Sequence, residues 1–293
     1  MTDWIDAHHH LWDLEAVSYP WLNAKGVVRF FGDPSPIQRT YSLDEFRREA
    51  NAMGFAASVH IQVGAESGWD EAVWVQEIAD SNPDWPIAQV VFCDLTSDDQ
   101  IQQLDALQSL STVRGVRQIV GRAPTEDATT GTNTLLDDPR FVDGLNEAGR
   151  RGLSFDLQLI PELMEKTAAV LRQAPDTKVA LCHAGSPHDR TDTGLRDWST
   201  ALKSLSDLPQ VTCKLSGLGM FKHDWHVEDF RPIVDTVITQ FGPDRVMFGS
   251  NFPVDKLYSD YATLAHAFRA LVPQSQHDQV FRETAAEFYA LGA

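Results

Sequence analysis

The sequence predicts an α/β protein whose 293 residues form one domain, a (β/α)8 TIM barrel over residues 1–293. Short apolar runs alternate with amphipathic helical stretches, and the alternation occurs eight times. Most repeats have the length of one strand–helix unit, about 25 to 35 residues. The turn after the first strand carries histidines, whereas an open, doubly wound sheet usually has a glycine-rich phosphate turn there. Eight parallel units close a barrel, and we therefore predict the closed form.

The predicted strands are short and rich in β-branched or apolar residues. They are Trp4–His8, Ala56–Val63, Ile87–Cys93, Val113–Ile119, Leu153–Leu157, Lys178–His183, Val211–Leu215 and Arg245–Gly249. In a parallel barrel the carboxyl ends of all strands meet at one rim, where the active sites of such barrels lie. Polar residues at the ends of these strands are therefore the first candidates for function.

Capping signals mark the helices between the strands. A capping box begins at Ser42, where side chains satisfy free amides of the first turn. Asp138 followed by Pro139 opens a helix over Arg140–Arg150. Gly152, just past that helix, fits a left-handed C-cap. The other predicted helices are Asp70–Ser81, Asp98–Leu110, Pro161–Gln173, Gly194–Ser206, Glu228–Phe241, Tyr258–Leu271 and Gln276–Leu291.

Composition excludes several classes of partner. The net charge of −18 repels phosphate backbones, so no nucleic-acid partner is expected. No stretch approaches the ~20 apolar residues of a membrane helix, and the N-terminal residues lack the pattern of a signal peptide. Three dispersed cysteines, Cys93, Cys182 and Cys213, favour a reducing cytoplasm over a disulfide framework. A small-molecule substrate is the expected partner, and both a monomer and a homo-oligomer are compatible with the sequence.

The first strand ends in a group of histidines. Alternate residues of a strand point the same way, so Asp6, His8 and His10 are predicted to share one face and His9 the other. Two imidazoles aimed into a barrel mouth suit a bound metal or a histidine pair that moves protons.

Other predicted strands also end in polar groups. His183 ends strand 6, and Asn251 follows strand 8. Strands 2, 4 and 7 carry Gln62, Arg117 and Lys214, respectively. Polar groups that converge from apolar strands are typical of a small-molecule pocket. A guanidinium is a planar, bidentate donor that suits a carboxylate, although structural pairing of Arg117 stays open.

The segment Leu14–Thr40 is rich in aromatic residues, glycine and proline and has no clear periodicity. A loop of that length in a compact domain is usually functional, often a lid. Trp12, just before it, is predicted to wall a pocket for a ring-shaped substrate, with packing of the loop as the alternative.

An ordered set of motifs runs from the first predicted strand to the last. The motifs are Asp6-Ala7-His8-His9-His10-Leu11-Trp12-Asp13, Gly115-Val116-Arg117, His183-Ala184-Gly185-Ser186-Pro187, Cys213-Lys214-Leu215-Ser216-Gly217-Leu218 and Met247-Phe248-Gly249-Ser250-Asn251-Phe252-Pro253-Val254. This set resembles the branch of the amidohydrolase superfamily, amidohydrolase family 2, that contains sugar and muconolactone-type lactonases. The resemblance implies a (β/α)8 barrel and hydrolysis of a cyclic ester. It implies functional roles for His8, His10, His183 and the residue at position 251.

The sequence departs from the family at Asn251, where the resemblance implies an aspartate that acts as general base and sometimes binds metal. A carboxamide does not titrate and is a weak neutral ligand. The base is then expected elsewhere, at Asp255 or His183, with His188 and Asp189 as further candidates. A divalent metal, zinc before others, would be held weakly by His8, His10 and His183, and a metal-free site is the alternative.

The leading hypothesis is a hydrolase that opens a lactone or similar small cyclic ester in carbohydrate or aromatic-compound catabolism. In this hypothesis the substrate is bound by Gln62, Arg117, Lys214 and Trp12. The catalytic set consists of His8, His10, His183, Asn251 and Asp255. One rival is an aromatic-acid decarboxylase of the same superfamily, which needs a metal and a carboxylate base. The other is a catalytically silent barrel that binds a small molecule.

Overall fold

The computed structural model describes residues 2–123, 126 and 132–291. Its eight-stranded sheet is parallel and follows chain order, as predicted for a (β/α)8 barrel. The strands are β1 (Trp4–His9), β2 (Phe55–Ile61), β3 (Ile87–Phe92), β4 (Val113–Arg117), β5 (Ser154–Leu157), β6 (Val179–Leu181), β7 (Val211–Leu215) and β8 (Val246–Phe248). Backbone hydrogen bonds from Asn251 N to His8 O and from His10 N to Phe252 O, both 2.7 Å, draw the two ends of the sheet together.

Helices follow the strands around the outside. In the described chain they are α1 (Pro20–Asn23), α2 (Leu43–Ala52), α3 (Gly68–Ser81), α4 (Gln100–Gln108), α5 (Pro139–Arg150), α6 (Met164–Leu171), α7 (Asp192–Ser206), α8 (Val227–Phe241), α9 (Tyr261–Leu271) and α10 (Thr284–Tyr289). The predicted caps are present: Ser42 accepts from Glu45 N, and Asp138 accepts from Arg140 N. The predicted helix Gln276–Leu291 is broken, because a 3-10 turn and the π turn Gln279–Glu283 precede α10.

The apolar core has two layers. The larger layer lies between the strands and the surrounding helices. The smaller one fills the barrel itself with side chains from the strands and from the C-terminal segment. Its residues include Ile5, Ala7, Val59, Ile61, Ala88, Val90, Met247, Ala285, Tyr289 and Leu291. The segment that contains α10 therefore reaches into the barrel interior.

A buried charge network, the barrel floor, lies in this interior layer and consists of Asp156, Lys214 and Tyr289. Lys214 Nζ donates to Asp156 Oδ2 at 2.5 Å and to Ala7 O at 2.8 Å. Tyr289 OH donates to Asp156 Oδ1 at 2.8 Å. Both side chains of the ion pair are 0% exposed. A buried ion pair is tolerated when hydrogen bonds satisfy its remaining polar atoms, and the tyrosine hydroxyl contributes to that here.

Candidate active site

The end of β1 carries the histidines into the barrel by breaking the regular alternation of the strand. The pairing of β1 with β2 shifts register between Asp6 and His9, which marks a bulge. Asp6 consequently faces outward, where Tyr261 OH donates to its Oδ2 at 2.9 Å. The prediction that Asp6 shares a face with His8 and His10 is wrong, because one residue between them is unpaired. His9 faces outward as predicted and stacks on Phe46, with ring centroids 3.9 Å apart.

Three imidazoles, the imidazole cluster of His8, His10 and His183, meet at the carboxyl ends of the strands. The ring of His8 lies 5.1 Å from that of His10 and 4.7 Å from that of His183. Neither ring nitrogen of His8 has a hydrogen-bond partner among the described residues, and both are buried. Buried polar atoms are almost always paired, so this cluster is built to receive a ligand, a water or an ion.

Left-handed backbone positions aim the side chains from the other strands. His183 (φ 55°) and Asn251 (φ 58°) both lie in this region, which costs a non-glycine residue of order 1–3 kcal/mol. Two glycines make room for the cluster. A Cβ at Gly217 would lie 2.4 Å from His183 Nδ1, and one at Gly249 would lie 2.5 Å from His8 Cβ. Glycine at these two positions is therefore required for the rings to approach each other.

Hydrogen bonds at the back of two rings set their tautomers. His10 Nδ1 lies 2.8 Å from Ile61 O, which can only accept, so Nδ1 carries the proton and Nε2 has a lone pair. His183 Nδ1 lies 3.0 Å from Ser216 Oγ, a hydroxyl that can donate or accept. His183 Nε2 can therefore present either a proton or a lone pair to the cavity.

Asn251 connects His10 to Asp255. Asn251 Oδ1 lies 3.3 Å from His10 Nε2, and Asn251 Nδ2 donates to Asp255 Oδ2 at 2.6 Å. Asp255 Oδ1 accepts from Gly219 N at 3.0 Å, and the side chain is fully buried. The lone pair of His10 and an amide oxygen thus face each other, an arrangement that a proton donor or a cation beside them would stabilise.

Burial dominates the protonation states of the site. It lowers the pKa of His10 to about 3 and the pKa values of His8 and His183 well below the usual histidine range. Neighbouring positive charges, among them Arg117, lower them further. Burial also raises the pKa of Asp255 to about 7. At neutral pH the imidazole cluster is uncharged.

The cluster opens into a cavity of about 450 Å³ at the carboxyl ends of the strands. It is lined by six of the predicted residues: His10, Trp12, Gln62, Arg117, His183 and Asn251. His8 lies directly beside His183 and completes the cluster. A cavity of this volume suits a small molecule.

Several predicted residues lie away from the cavity. Lys214 belongs to the barrel floor, where its ammonium group is saturated by protein partners, so its placement argues against substrate contact. Asp255 lies behind Asn251 and reaches the cavity only through that amide. His188 pairs with Glu162, and Asp189 accepts from Thr191 N and Oγ1, in a second cavity apart from the cluster.

Two polar residues, one on β5 and one in the loop just after it, were not predicted from the sequence. Asp156 belongs to the barrel floor, and Gln158 lines the cavity and accepts from Arg117. Polar residues two positions apart on an apolar strand are the same signal that identified His8 and His10. The long segment Leu14–Thr40 contributes a wall of the cavity through Trp21, Arg29, Phe30 and Phe31.

Comparison with known proteins identifies the family. The amidohydrolase family model matches residues 5–291. The chain belongs to the amidohydrolase family. This amidohydrolase is 36% identical to an uncharacterized protein of Sinorhizobium fredii, with 97% of each chain covered. It is 30% identical to L-fucono-1,5-lactonase of Burkholderia multivorans, over 98% of this chain and 96% of the relative. Together with its lactonase relatives, membership of the family makes this amidohydrolase a hydrolase.

Solved structures agree with this family assignment. A crystal structure of an amidohydrolase from Burkholderia multivorans with bound HEPES has a TM-score of 0.84 and 27% identity, covering 99% of this chain and 100% of that chain. A second crystal form with bound zinc also has a TM-score of 0.84, at 26% identity and the same coverage. In the described part of this amidohydrolase, no helix has the length and apolar character needed to cross a bilayer.

The donor set of the imidazole cluster fits a divalent cation. The nitrogens of His8 are unpartnered, and the Nε2 lone pair of His10 faces Asn251 Oδ1. His8, His10 and His183 would hold the cation, with Asn251 Oδ1 beside them. All four donors are neutral, so the cation's charge would stay uncompensated until substrate or hydroxide supplied an anion.

A second group of donors lies deeper. His8, Asp156 and Cys182 have potential ligand atoms within 4.8 Å of one another. Asp156 Oδ2 already accepts from the ammonium group of Lys214. That ammonium group already supplies a positive charge to Asp156 at this place.

Proposed function

We propose that this amidohydrolase opens a lactone or a similar small cyclic ester. The observation that carries the proposal is the uncharged imidazole cluster beside the cavity, with one fixed lone pair at His10 Nε2 and one ring, His183, able to donate. Ester hydrolysis needs one group that accepts a proton from water and returns it to the ring oxygen, and one that donates a hydrogen bond to the carbonyl oxygen. His10 supplies the first group and His183 the second, and both rings neighbour that of His8.

The reaction forms a bond between the oxygen of water and the acyl carbon, and it breaks the bond from that carbon to the ring oxygen. In the proposed mechanism His10 Nε2 accepts the proton that water loses, and Asn251 orients the water through Oδ1. His183 Nε2 donates a hydrogen bond to the carbonyl oxygen as negative charge develops, and the protonated His10 then returns its proton to the released ring oxygen, which becomes a hydroxyl group. Negative charge that develops beside His10 raises its pKa towards that of an effective base.

A divalent cation bound by the imidazole cluster would polarise the ester carbonyl and add to the same stabilisation. The roles of His10 and Asn251 towards water follow from their own hydrogen bonds. Asp255 is a positioning residue here, because it holds the Asn251 amide and does not face the cavity.

The aromatic-acid decarboxylase is the weaker candidate, because that chemistry needs a carboxylate base beside the metal. Among the described residues that line the cavity, Glu66 alone has a carboxylate, and it is exposed on the loop after β2.

A panel of five- and six-membered lactones, assayed by proton release with and without added zinc, tests the proposal. His10→Asn keeps a donor for Ile61 O and removes Nε2, and His183→Asn does the same beside Ser216. Each change should lower kcat by at least ~100-fold. His266→Asn, on the exposed face of α9, is the control and should behave like the parent protein.

Carbon dioxide release from an aromatic acid would instead assign the decarboxylase. Tight binding of lactones without turnover, at any zinc concentration, would assign the silent barrel.

A further inference from the structure

The cavity beside the imidazole cluster changes from polar to apolar towards its mouth. Its deep part is formed by polar residues at or just after the ends of the strands: His10, Gln62, Arg117, Gln158, His183 and Asn251. Each of these residues is at most 7% exposed. Beyond the strand ends the chain rises towards solvent, and most residues that line the cavity there are apolar.

This outer part of the cavity, the upper wall, is formed by the end of β3 and by the loops that follow β1, β2 and β4. It consists of Trp21, Phe30, Phe31, Val63, Ala65, Phe92 and Ile119. Three of its rings pack edge to face, since the centroid of Phe31 lies 6.1 Å from that of Trp21 and 5.2 Å from that of Phe30. A ligand that extends outward from the imidazole cluster therefore meets aromatic and aliphatic surface.

Polar side chains beside the upper wall are already engaged with one another. Arg29 Nε donates to Glu126 Oε1 at 3.0 Å, and the positive charge of Arg122 acts on the same carboxylate. The Gln118 amide is used at both ends, because its oxygen accepts from a backbone amide and its nitrogen donates to Asp94 Oδ1 at 3.1 Å. Hydrogen bonds to a ligand are thus expected in the deep part of the cavity, and apolar contacts in the outer part.

Large apolar side chains are also exposed around this mouth. In the described part of the chain they are Val27, Val28, Trp69, Phe92 and Ile101. All five lie in segments that leave β1, β2 or β3 at the carboxyl end of the strand. Phe92 is 41% exposed and lines the cavity, so it belongs to both surfaces. Exposed apolar side chains that gather in one place mark a binding surface, and Phe92 makes this surface continuous with the cavity.

The cavity is larger than a lactone ring requires. Its volume is about 450 Å³. With the ~30 Å³ of one liquid water as a generous allowance for each non-hydrogen atom, the seven such atoms of an unsubstituted six-membered lactone fill about 210 Å³. The space that remains holds about eight further atoms of that size. Apolar groups that replace water beside the upper wall stabilise the complex, because apolar surface is removed from water on both sides.

We propose that the lactone opened by this amidohydrolase carries an apolar substituent of about five to eight carbon atoms, and that the upper wall binds this substituent. The inference rests on the proposed lactone hydrolysis and narrows its substrate class. The ester group lies at the imidazole cluster, and the substituent extends from the ring past Phe92 towards the mouth. Hydrolysis consumes one water and yields a hydroxy acid that keeps the substituent unchanged.

A homologous series of δ-lactones tests the inference. The side chain lengthens from methyl to propyl, pentyl and heptyl in δ-hexanolactone, δ-octanolactone, δ-decanolactone and δ-dodecanolactone. We expect kcat/KM of the parent protein to rise by at least ~10-fold from δ-hexanolactone to δ-decanolactone, because each buried methylene contributes up to about fourfold. An aldono-1,5-lactone turned over faster than δ-decanolactone would assign a polar substituent and overturn the inference.

Phe92→Ser should remove most of the preference for δ-decanolactone over δ-hexanolactone. Phe92→Leu should keep most of it, because leucine retains an apolar side chain at the mouth. Ile101→Ser is the matched control, since Ile101 is 42% exposed, begins the helix after the same strand and does not line the cavity. This control should keep the preference of the parent protein.

Two results would overturn the inference and leave lactone hydrolysis standing. One is equal kcat/KM for δ-hexanolactone and δ-decanolactone. The other is a dimer in sedimentation that Phe92→Ser and Ile101→Ser both dissociate while the chain-length preference stays unchanged. The exposed apolar side chains would then form an interface between two copies of the chain.

Failure of the proposed function is distinguished by binding. If no lactone is opened, calorimetric titration with the δ-lactams that carry a methyl or a pentyl side chain still tests the upper wall. Binding of the pentyl lactam that is at least ~10-fold tighter, with the difference lost in Phe92→Ser, supports the apolar subsite. Equal binding of the two lactams by the parent protein would reject the apolar subsite as well.

Discussion

At the scale of single residues, Asn251 decides what the site can do. Its amide lies between His10 Nε2 at 3.3 Å and Asp255 Oδ2 at 2.6 Å. A carboxylate at position 251 would place two acids in contact with each other in a buried place. Like charges this close cannot both ionise, so one of the acids would stay protonated. The amide avoids this conflict and keeps the cluster neutral.

Asn251→Asp should therefore destabilise the protein, and the loss should grow as the pH rises through neutrality. We expect the free energy of unfolding at pH 8 to fall by roughly 3 kcal/mol, since the folded protein must keep one acid protonated that the unfolded chain ionises. The exchange Asn251→Asp with Asp255→Asn keeps one acid and one amide and should recover most of the loss. Urea unfolding at pH 6 and pH 8 measures both variants. A single variant as stable as the parent protein at pH 8 would contradict this account.

Much of the candidate site could be predicted from the sequence because its residues follow apolar strands. Strand ends place His10, Gln62, Arg117 and His183 at the cavity, whereas His8 turns inward only through the bulge in β1. The placement of Asp255 and Lys214 could not be predicted in this way. Both depend on tertiary hydrogen bonds, one through Asn251 and one to Asp156, which strand periodicity does not encode.

At the scale of secondary-structure elements, the bulge in β1 has the largest effect. Strict alternation would have turned His8 away from the cavity, since Ile5 and Ala7 already face the interior. A one-residue insertion is invisible to a period of two residues. For the same reason the positions of the strands could be predicted from the sequence, but the register of β1 at Asp6 could not.

The junction of β2 with α3 holds a buried acid. Glu71 Oε1 accepts from Val63 N at 2.7 Å, which fixes the start of α3 beside the cavity loop. Burial raises the pKa of this carboxyl group to about 8, above its ordinary value of 4.5. The folded protein then holds a proton that the unfolded chain releases between these two values. Stability is therefore lost as the pH rises from about 4.5 to about 8.

Glu71→Gln should remove this pH dependence, because glutamine accepts from Val63 N without titrating. The free energy of unfolding of the variant should fall less between pH 5 and pH 8 than that of the parent protein. Glu77→Gln, on the exposed face of the same helix, is the control and should keep the parent slope. Identical slopes for all three proteins would show that Glu71 does not titrate in this range.

At the scale of the whole molecule, the barrel floor joins distant parts of the chain. Asp156 comes from β5, Lys214 from β7 and Tyr289 from α10. Lys214 also donates to Ala7 O, directly before His8. The C-terminal segment thus supports the imidazole cluster from below through a chain of hydrogen bonds.

Tyr289→Phe should weaken this support. It leaves Asp156 Oδ1 without its hydroxyl donor, which costs about 1–3 kcal/mol when the acceptor is buried. Tyr261→Phe removes a comparable donor from Asp6 outside the barrel and is the matched comparison. Both should lower the midpoint of urea unfolding, and Tyr289→Phe alone should also change kcat. Equal effects of the two variants on kcat would show that the barrel floor has no specific role in catalysis.

The position of Tyr289 in the chain has a consequence for protein synthesis. The ribosome releases every strand of the barrel before it releases α10. A nascent chain with all its strands outside the exit tunnel would still hold the Asp156–Lys214 pair without the tyrosine hydroxyl and without the apolar plug of Ala285 and Leu291. The barrel floor that supports the imidazole cluster would then be finished last, even though two histidines of that cluster, His8 and His10, are among the first residues made.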